Sequence, residues 1–326
     1  MLNSAMPLIP NFVLMSFFTQ PFHFSRHIRT FLCFAGLLLF QSCEKEVKIS
    51  LTTGTPQLVV NGQIETGNPP FVVLTQSIGY FSKVDLATLE NSFIHDAIIK
   101  VSDGSTEITL KEYKLDTSSG QTAAKFYFYS IDPSDPVAAN FKGVTGNTYS
   151  LHIESSGKSY DSYTKIPYPK AVDSLTAVAP GTIPPKAPTA MQLNVYYSDP
   201  DTLGNAVRYF TRRNSEPFYP GPNSVFDDGI VNGAKNARYQ LQAGSPSSNI
   251  DFTDSTGYVF KGDTVTLKWA AIDRGVFNFY TTLEYSLGTT GNPFASPINV
   301  QSNVMNGALG IWAGYGSTFT TIVVPK

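Results

Sequence analysis

The sequence predicts a mainly β fold: an N-terminal immunoglobulin-like β-sandwich followed by a second β-rich domain with one amphipathic helix. Three observations carry this expectation. Charged residues make up only 15% of the 326-residue chain while aromatics reach 13%, with 23 Phe and 17 Tyr, a composition that suits pleated, half-buried surfaces. The 25 Gly and 22 Pro are scattered so that they punctuate short apolar runs. One segment only, near 275–287, places its apolar residues at helical spacing. The formal charge of −2 lacks the basic excess of a nucleic-acid-binding chain. Two Cys are too few for a disulfide scaffold or a Cys-based zinc site.

Residues 1–42 read as a signal peptide of the lipoprotein type. No Asp or Glu precedes Glu44, and Arg26, His27 and Arg29 form a small basic cluster. Thr30 to Phe40 is an apolar run of signal-peptide length, too short to span a bilayer. Gln41-Ser42-Cys43 follows and resembles a bacterial lipobox, with Phe40 where Leu is usual. Cys43 is therefore the expected lipidation site, and 43–56 the lipidated Cys with a polar tether. Competing readings are an ordinary secretory peptide with a chance cysteine, or a single membrane-anchor helix. Met15 as the translation start gives a tighter signal peptide than Met1. Cleavage removes Cys33 with the apolar run, so neither a free thiol nor a disulfide is expected. It also removes two Arg and no acid, moving the net charge from −2 to −4. A bacterial triacylated cysteine carries several chains, which gives stable anchoring where a single chain is marginal.

Residues 57–170 read as the sandwich. Leu58–Ile64, Phe71–Thr75, Ala97–Val101, Ile108–Leu110, Phe126–Ile131, Thr148–Ile153 and Ser159–Ile166 are the strand candidates, separated by Gly, Asn, Asp and Pro turns. Alternation puts Tyr149, Leu151 and Ile153 on one face and turns His152 outward. Ser77–Phe93 is longer than a hairpin needs and holds a candidate short helix at Leu86–Asn91.

Pro167 and Pro169 mark a boundary, and residues 171–326 form the second part. Gln192–Tyr197 reads as a strand, Ser198-Asp199-Pro200-Asp201 as a turn, and Arg208–Arg212 as the strand that pairs back. Glu216–Ala234 is polar and rich in Pro and Gly, predicting a long surface loop. Arg238–Ala243, Tyr258–Phe260 and Asp263–Ile272 are strand candidates, with a hairpin turn at Gly262-Asp263. Arg274–Leu287 carries Val276, Phe279, Tyr280, Leu283 and Leu287 at helical spacing, with Gly288 as C-cap. A Gly-rich stretch, Asn306–Gly316, leads to a final strand at Thr318–Val324.

Several of these segments together resemble a known family. They are Leu58-Val59-Val60-Asn61-Gly62, Ala97–Asp103, Gly146–Leu151 with Lys158-Ser159-Tyr160, Ile166-Pro167, and Val172–Leu175. Near the end come Asn292-Pro293-Phe294, Ser302-Asn303-Val304 and Gly307–Tyr315. In order and spacing the chain resembles the Bacteroidota outer-membrane lipoproteins that carry a domain of unknown function, family 4249; Ala308 stands where Gly is expected. The resemblance implies a lipid-anchored protein encoded beside TonB-dependent receptors, with no established activity. Glu44-Lys45-Glu46 after the Cys resembles the surface-export tag of such lipoproteins, which makes outer-membrane attachment and surface exposure the expectation.

No catalytic constellation stands out. Cys43 is the lipid site, and the two His of the mature chain, His95 and His152, lie outside any metal-ligand spacing. G-x-S-x-G and P-loop patterns are absent. No enzymatic activity, cofactor or metal is expected. Asp199-Pro200-Asp201 with Asn205, and Asp227-Asp228, are the densest oxygen-ligand groups, though such runs are better explained as turn formers. Candidate ligand- or partner-binding residues are aromatic: Tyr80 and Phe81, Phe218 and Tyr219, and Phe294, Trp312 and Tyr315. Exposed Tyr and Trp favour interfaces and sugar stacking, whereas β cores use Phe and Tyr for packing. The expected role is a non-enzymatic accessory or ligand-capture partner of a TonB-dependent receptor in nutrient uptake. The alternative is a stand-alone surface adhesin or glycan-binding lipoprotein.

Overall fold

The computed structural model describes residues 55–79, 82–119, 122–184, 187–229, 232–245, 256–292, 294–296 and 298–326. Residues 1–42, Cys43, Tyr80 and Phe81 lie outside the described residues. The chain is mainly β, as its composition predicts. A sheet of eight strands forms its backbone, in the order β12 (Tyr219–Asp227), β11 (Ala206–Arg213), β15 (Thr264–Ile272), β16 (Leu309–Val323), β1 (Leu58–Glu65), β2 (Phe71–Gln76), β6 (Thr122–Ser130) and β5 (Lys111–Ser119). A second sheet runs β4 (Glu107–Thr109), β3 (Ile98–Ser102), β7 (Thr148–Ser155), β8 (Lys158–Lys165). A third joins β13 (Ala237–Leu241), β10 (Ala190–Tyr197) and β14 (Val259–Phe260), with β9 (Ser174–Val178) also on β10. The helices are α1 (Leu86–Glu90) and α2 (Arg274–Thr289).

Period-2 alternation decides what each sheet packs on. Val60 and Ile64 of β1 and Val72 and Leu74 of β2 meet Ile99, Val101, Tyr149, Leu151 and Ile153 of the second sheet in one core cluster. The predicted Tyr149-Leu151-Ile153 face is thus buried. A second cluster joins Leu193, Val195 and Leu241 of the third sheet to Val207, Tyr209, Leu267 and Trp269 of the large sheet. Both smaller sheets therefore pack against the large one in sandwich fashion. The intervening residues of the large sheet, Ala206, Ala270, Ile272, Ile311, Ala313 and Tyr315, pack with Val276 and Phe279 of α2.

The large sheet is continuous because β1 and β16 pair in parallel, from Val59 opposite Leu309 to Glu65 opposite Tyr315. The Gly-rich segment is part of this 15-residue strand, so the final strand begins nine residues earlier than Thr318. Its glycines sit where another backbone passes. A Cβ at Gly314 would lie 2.4 Å from the Lys165 carbonyl oxygen, and one at Gly316 would lie 2.1 Å from that of Pro167. The segment leaving β8 crosses β16 at these two positions.

Four local expectations are corrected. Glu216–Ala234 is not a loop throughout: Tyr219–Asp227 is the edge strand β12, paired with β11 across an irregularity between Arg208 and Phe210. Pro220 and Pro222 are tolerated because an edge strand can leave one row of donors unused. β11 does not pair back on β10; it pairs with β12 and β15, so the Ser198–Asn205 turn carries the chain from one sheet to another. Gly262-Asp263 likewise links β14 and β15, which lie in different sheets. Gly288 lies inside α2. Thr290 caps the helix, and the Thr289 and Thr290 hydroxyls donate to the Tyr285 and Ser286 carbonyls in its last turn.

Candidate functional site

Three segments that the sequence marks separately converge on one cleft of about 480 Å³. Its walls are the strand exit Lys165, Pro167, Tyr168 and Lys170, the turn Pro200–Val207, and the β15–α2 junction Ile272-Asp273-Arg274. Asp273 fixes two of these walls. Its Oδ1 accepts from the Val276 amide at 2.9 Å and caps α2. Its Oδ2 accepts from the Thr164 hydroxyl at 2.7 Å and the Lys165 amide at 2.8 Å. The cleft is thus held by a carboxylate with three donors, which suits a preformed binding site.

The lining is basic, with Lys165, Lys170 and Arg274 against the single carboxylate of Asp273. Arg274 also pairs with Asp227 at 2.8 Å and lies over the Phe277 ring. Lys170 donates to the Ser198 carbonyl and sits 5.7 Å from the Tyr197 ring centre. Burial pushes the Tyr197 hydroxyl up to about 12, so it stays neutral at physiological pH. Tyr168 is 78% exposed, and its hydroxyl packs against Gly146 where a Cβ would intrude at 2.7 Å. The chain carries net negative charge, so this basic cleft is a local departure from the whole. Such a surface recognises acidic or acceptor-rich partners.

The aromatic candidates scatter. Trp312 and Tyr315 are core residues, fully or almost fully buried, and in this position neither can reach a partner. Trp312 Nε1 donates to the Tyr149 carbonyl at 3.1 Å. Tyr315 lies under α2. Phe218 is half-buried, its ring 5.7 Å from that of Phe319, with the Arg212 guanidinium 4.7 Å above it. Tyr219 opens β12 and is half-buried. Phe294 is 94% exposed. Tyr80 and Phe81 fall outside the described residues. None of the described candidates lines the basic cleft. Of its residues the sequence points only to Pro200 and Asn205, within the candidate oxygen-ligand group; Pro167–Lys170 reads as a boundary, and nothing local tells that the two segments meet.

The two histidines and the acidic turn residues outside the cleft are paired. His152 is turned outward as predicted, with Nδ1 2.7 Å from Asp161 and Nε2 3.4 Å from Glu154. The Asp161 carboxylate raises its pKa above the ordinary value, assisted by Glu154 and opposed by partial burial. His95 Nδ1 lies 2.5 Å from Glu112. Asp228 accepts from the Asn205 amide and Asp199 from the Gly233 amide, 23 and 34 residues away in the chain, so these carboxylates tie separate loops together. Among the described residues no group of three or more His, Cys, Asp or Glu could hold a metal ion.

A buried polar network fastens α2 to the sheet. Arg208 is buried and lies over the Tyr280 ring at 3.3 Å. It donates to Ser224 Oγ at 3.0 Å and to the Tyr315 hydroxyl at 3.2 Å. Glu284 accepts from the Ser224 amide and hydroxyl, and burial raises its pKa. Beside it, Lys268 and Glu65 form a 2.7 Å ion pair with both side chains largely shielded. This network joins β1, β11, β12, β15, β16 and α2, and it explains why polar residues stand at inward positions.

Comparison with curated proteins gave no match. Residues 44–321 match the family described as Domain of unknown function (DUF4249), which begins one residue after Cys43. The chain belongs to the DUF4249 family.

Proposed function

We propose that this protein is an outer-membrane lipoprotein of Bacteroidota type, anchored through Cys43. In this reading it acts without chemistry, as an accessory or ligand-capture partner of a TonB-dependent receptor in nutrient uptake. The observation that carries the binding role is the preformed basic cleft of Lys165, Lys170 and Arg274, braced by Asp273. A rigid cleft of that charge favours a docking or capture role, because little conformational freedom is lost when it is occupied. The anchoring role is supported by the lipobox-like Gln41-Ser42-Cys43 and by the family match that starts at residue 44.

The test is affinity purification of the full chain from native outer membrane, followed by mass spectrometry. A stoichiometric barrel receptor is expected, and its recovery should fall with Lys165→Glu and Tyr168→Ala, both at the cleft. Recovery of the chain without any receptor would favour the adhesin reading instead. Metabolic labelling with a fatty-acid probe tests the anchor: Cys43→Ala should abolish the label, and a label that persists removes Cys43 as its site.

A further inference from the structure

The third sheet has two faces of opposite character. Leu193 and Val195 of β10 and Leu241 of β13 turn into the core. The alternate residues Gln192 and Asn194 of β10 and Arg238 and Gln240 of β13, with Tyr258 and the 178–182 segment, line a cleft of about 280 Å³. It shares no residue with the basic cleft at Asp273. Its size is near the lower end of small-ligand sites.

The polar groups here are unusually free. Asn194 is only 4% exposed but lines the cleft, and no hydrogen bond of its side-chain amide is found among the described residues. Across the strand pair stands Thr176, whose buried hydroxyl is also without a partner. An amide that lines a cleft without a protein partner is available to a ligand. Gln192 spends Nε2 on the Leu193 and Leu241 carbonyls at 3.1 and 2.8 Å, which leaves Oε1 as an acceptor. Arg238 and Gln240 are exposed and form no ion pair or side-chain hydrogen bond among the described residues. Among the described residues no Asp or Glu lines the cleft.

We infer that this cleft binds a sugar residue bearing a carboxylate, such as a uronic acid within an oligosaccharide. Side-chain amides donate and accept at once, as vicinal hydroxyls do, so Asn194, Gln240 and the Gln192 oxygen form a set that matches a sugar ring. The Arg238 guanidinium is a planar fork suited to a carboxylate, and among the described residues no acidic side chain of the lining competes for it. Tyr258 supplies an aromatic surface with a polar tip. The inference stands independently of the receptor-partner reading, since it rests on a different cleft.

Isothermal titration calorimetry on the full chain in detergent, with a galacturonic acid tetramer and a galactose tetramer, tests it. The acidic tetramer should bind at least tenfold tighter than the neutral one. Arg238→Ala should bring the acidic ligand down to the affinity of the neutral one, and Gln240→Ala should weaken both. These two side chains are exposed, so the variants should melt like the parent. Asn194→Ala should weaken both sugars as well. No binding of either sugar, equal binding of the two, or acid binding unchanged by both Arg238→Ala and Gln240→Ala would overturn the inference. So would a short acidic peptide that displaces the sugar at lower concentration.

Discussion

Trp312 shows what single residues decide here. Its ring lies against Gly62, where a Cβ would stand 2.7 Å from Cε3, and its indole N–H satisfies the Tyr149 carbonyl. Asn303 closes the other side by exchanging two hydrogen bonds with the Trp312 backbone. Trp312→Phe should take one of two donors from that carbonyl, the Thr164 amide of the β7–β8 ladder remaining, and open a small void. A loss of about 0.5–1.5 kcal/mol is expected from the hydrogen bond; Trp312→Ala should cost about 3–5 kcal/mol. Urea unfolding measures both, and a change below about 0.5 kcal/mol for the Phe variant would show that the hydrogen bond contributes little. The sequence left this residue open between core and binding roles, because an aromatic among glycines fits either. The glycine that settles it stands about 250 residues earlier in the chain, on β1, and no local pattern reports such a neighbour. His152 was legible, by contrast, since its orientation follows from alternation along one strand.

At the scale of elements, two junctions carry testable consequences. Asp273 serves both the start of α2 and the end of β8, so Asp273→Ala should remove a helix cap and strand two further donors, Thr164 Oγ1 and the Lys165 amide. The expected loss is about 2–3 kcal/mol, with Asp273→Asn intermediate because one acceptor oxygen survives. A variant that unfolds at the parent's urea midpoint would show that the cap is dispensable. The β7–β8 hairpin carries a pH dependence. His152 gains Asp161 on folding, so its folded pKa lies above the ordinary 6.5. Protonated His152 therefore stabilises the fold fully below pH 6.5, and that contribution fades as pH rises through the elevated folded value. The pair is partly exposed, so the effect is modest. Melting temperatures of the parent and of Asp161→Asn should differ more at pH 5.5 than at pH 8.5; a constant difference would assign the role of Asp161 to its other partner, Asn306. The helix α2 itself was readable from its apolar spacing. The edge strand β12 was not, since Pro220, Gly221 and Pro222 are loop formers by propensity and only the pairing with β11 makes them a strand.

The whole molecule is organised by its last strand. Trp312 of β16 belongs to the core between the large and second sheets. Ile311, Ala313 and Tyr315 belong to the core under α2, and Ile322 packs on the core behind the third sheet. One strand therefore takes part in all three clusters, and the parallel pairing with β1 is the seam between the first and last parts of the sequence. Strand existence and the mainly β class could be read from alternation and turn residues. The seam could not, because a parallel pair some 250 residues apart leaves no local signature. Residues 57–170 alone would lose Trp312, Val304 and Ala308 from their core and would expose β1 as a free edge. Expressed without β16, this piece should bind hydrophobic dyes and lack a sharp urea transition, whereas the full chain should unfold in one step. Gly314→Ala should disturb the crossing of the β8 exit over β16, since the new Cβ would meet the Lys165 carbonyl oxygen, and overpacking of this kind costs about 1–3 kcal/mol. The same topology sets the kinetics: β1 must wait for β16, and long-range pairing slows folding. Refolding should therefore be slow, and in pulsed hydrogen exchange the β1 amides should gain protection together with those of β16. Early protection of β1, or a cooperative transition in the isolated 57–170 piece, would show that the first sandwich closes without the last strand.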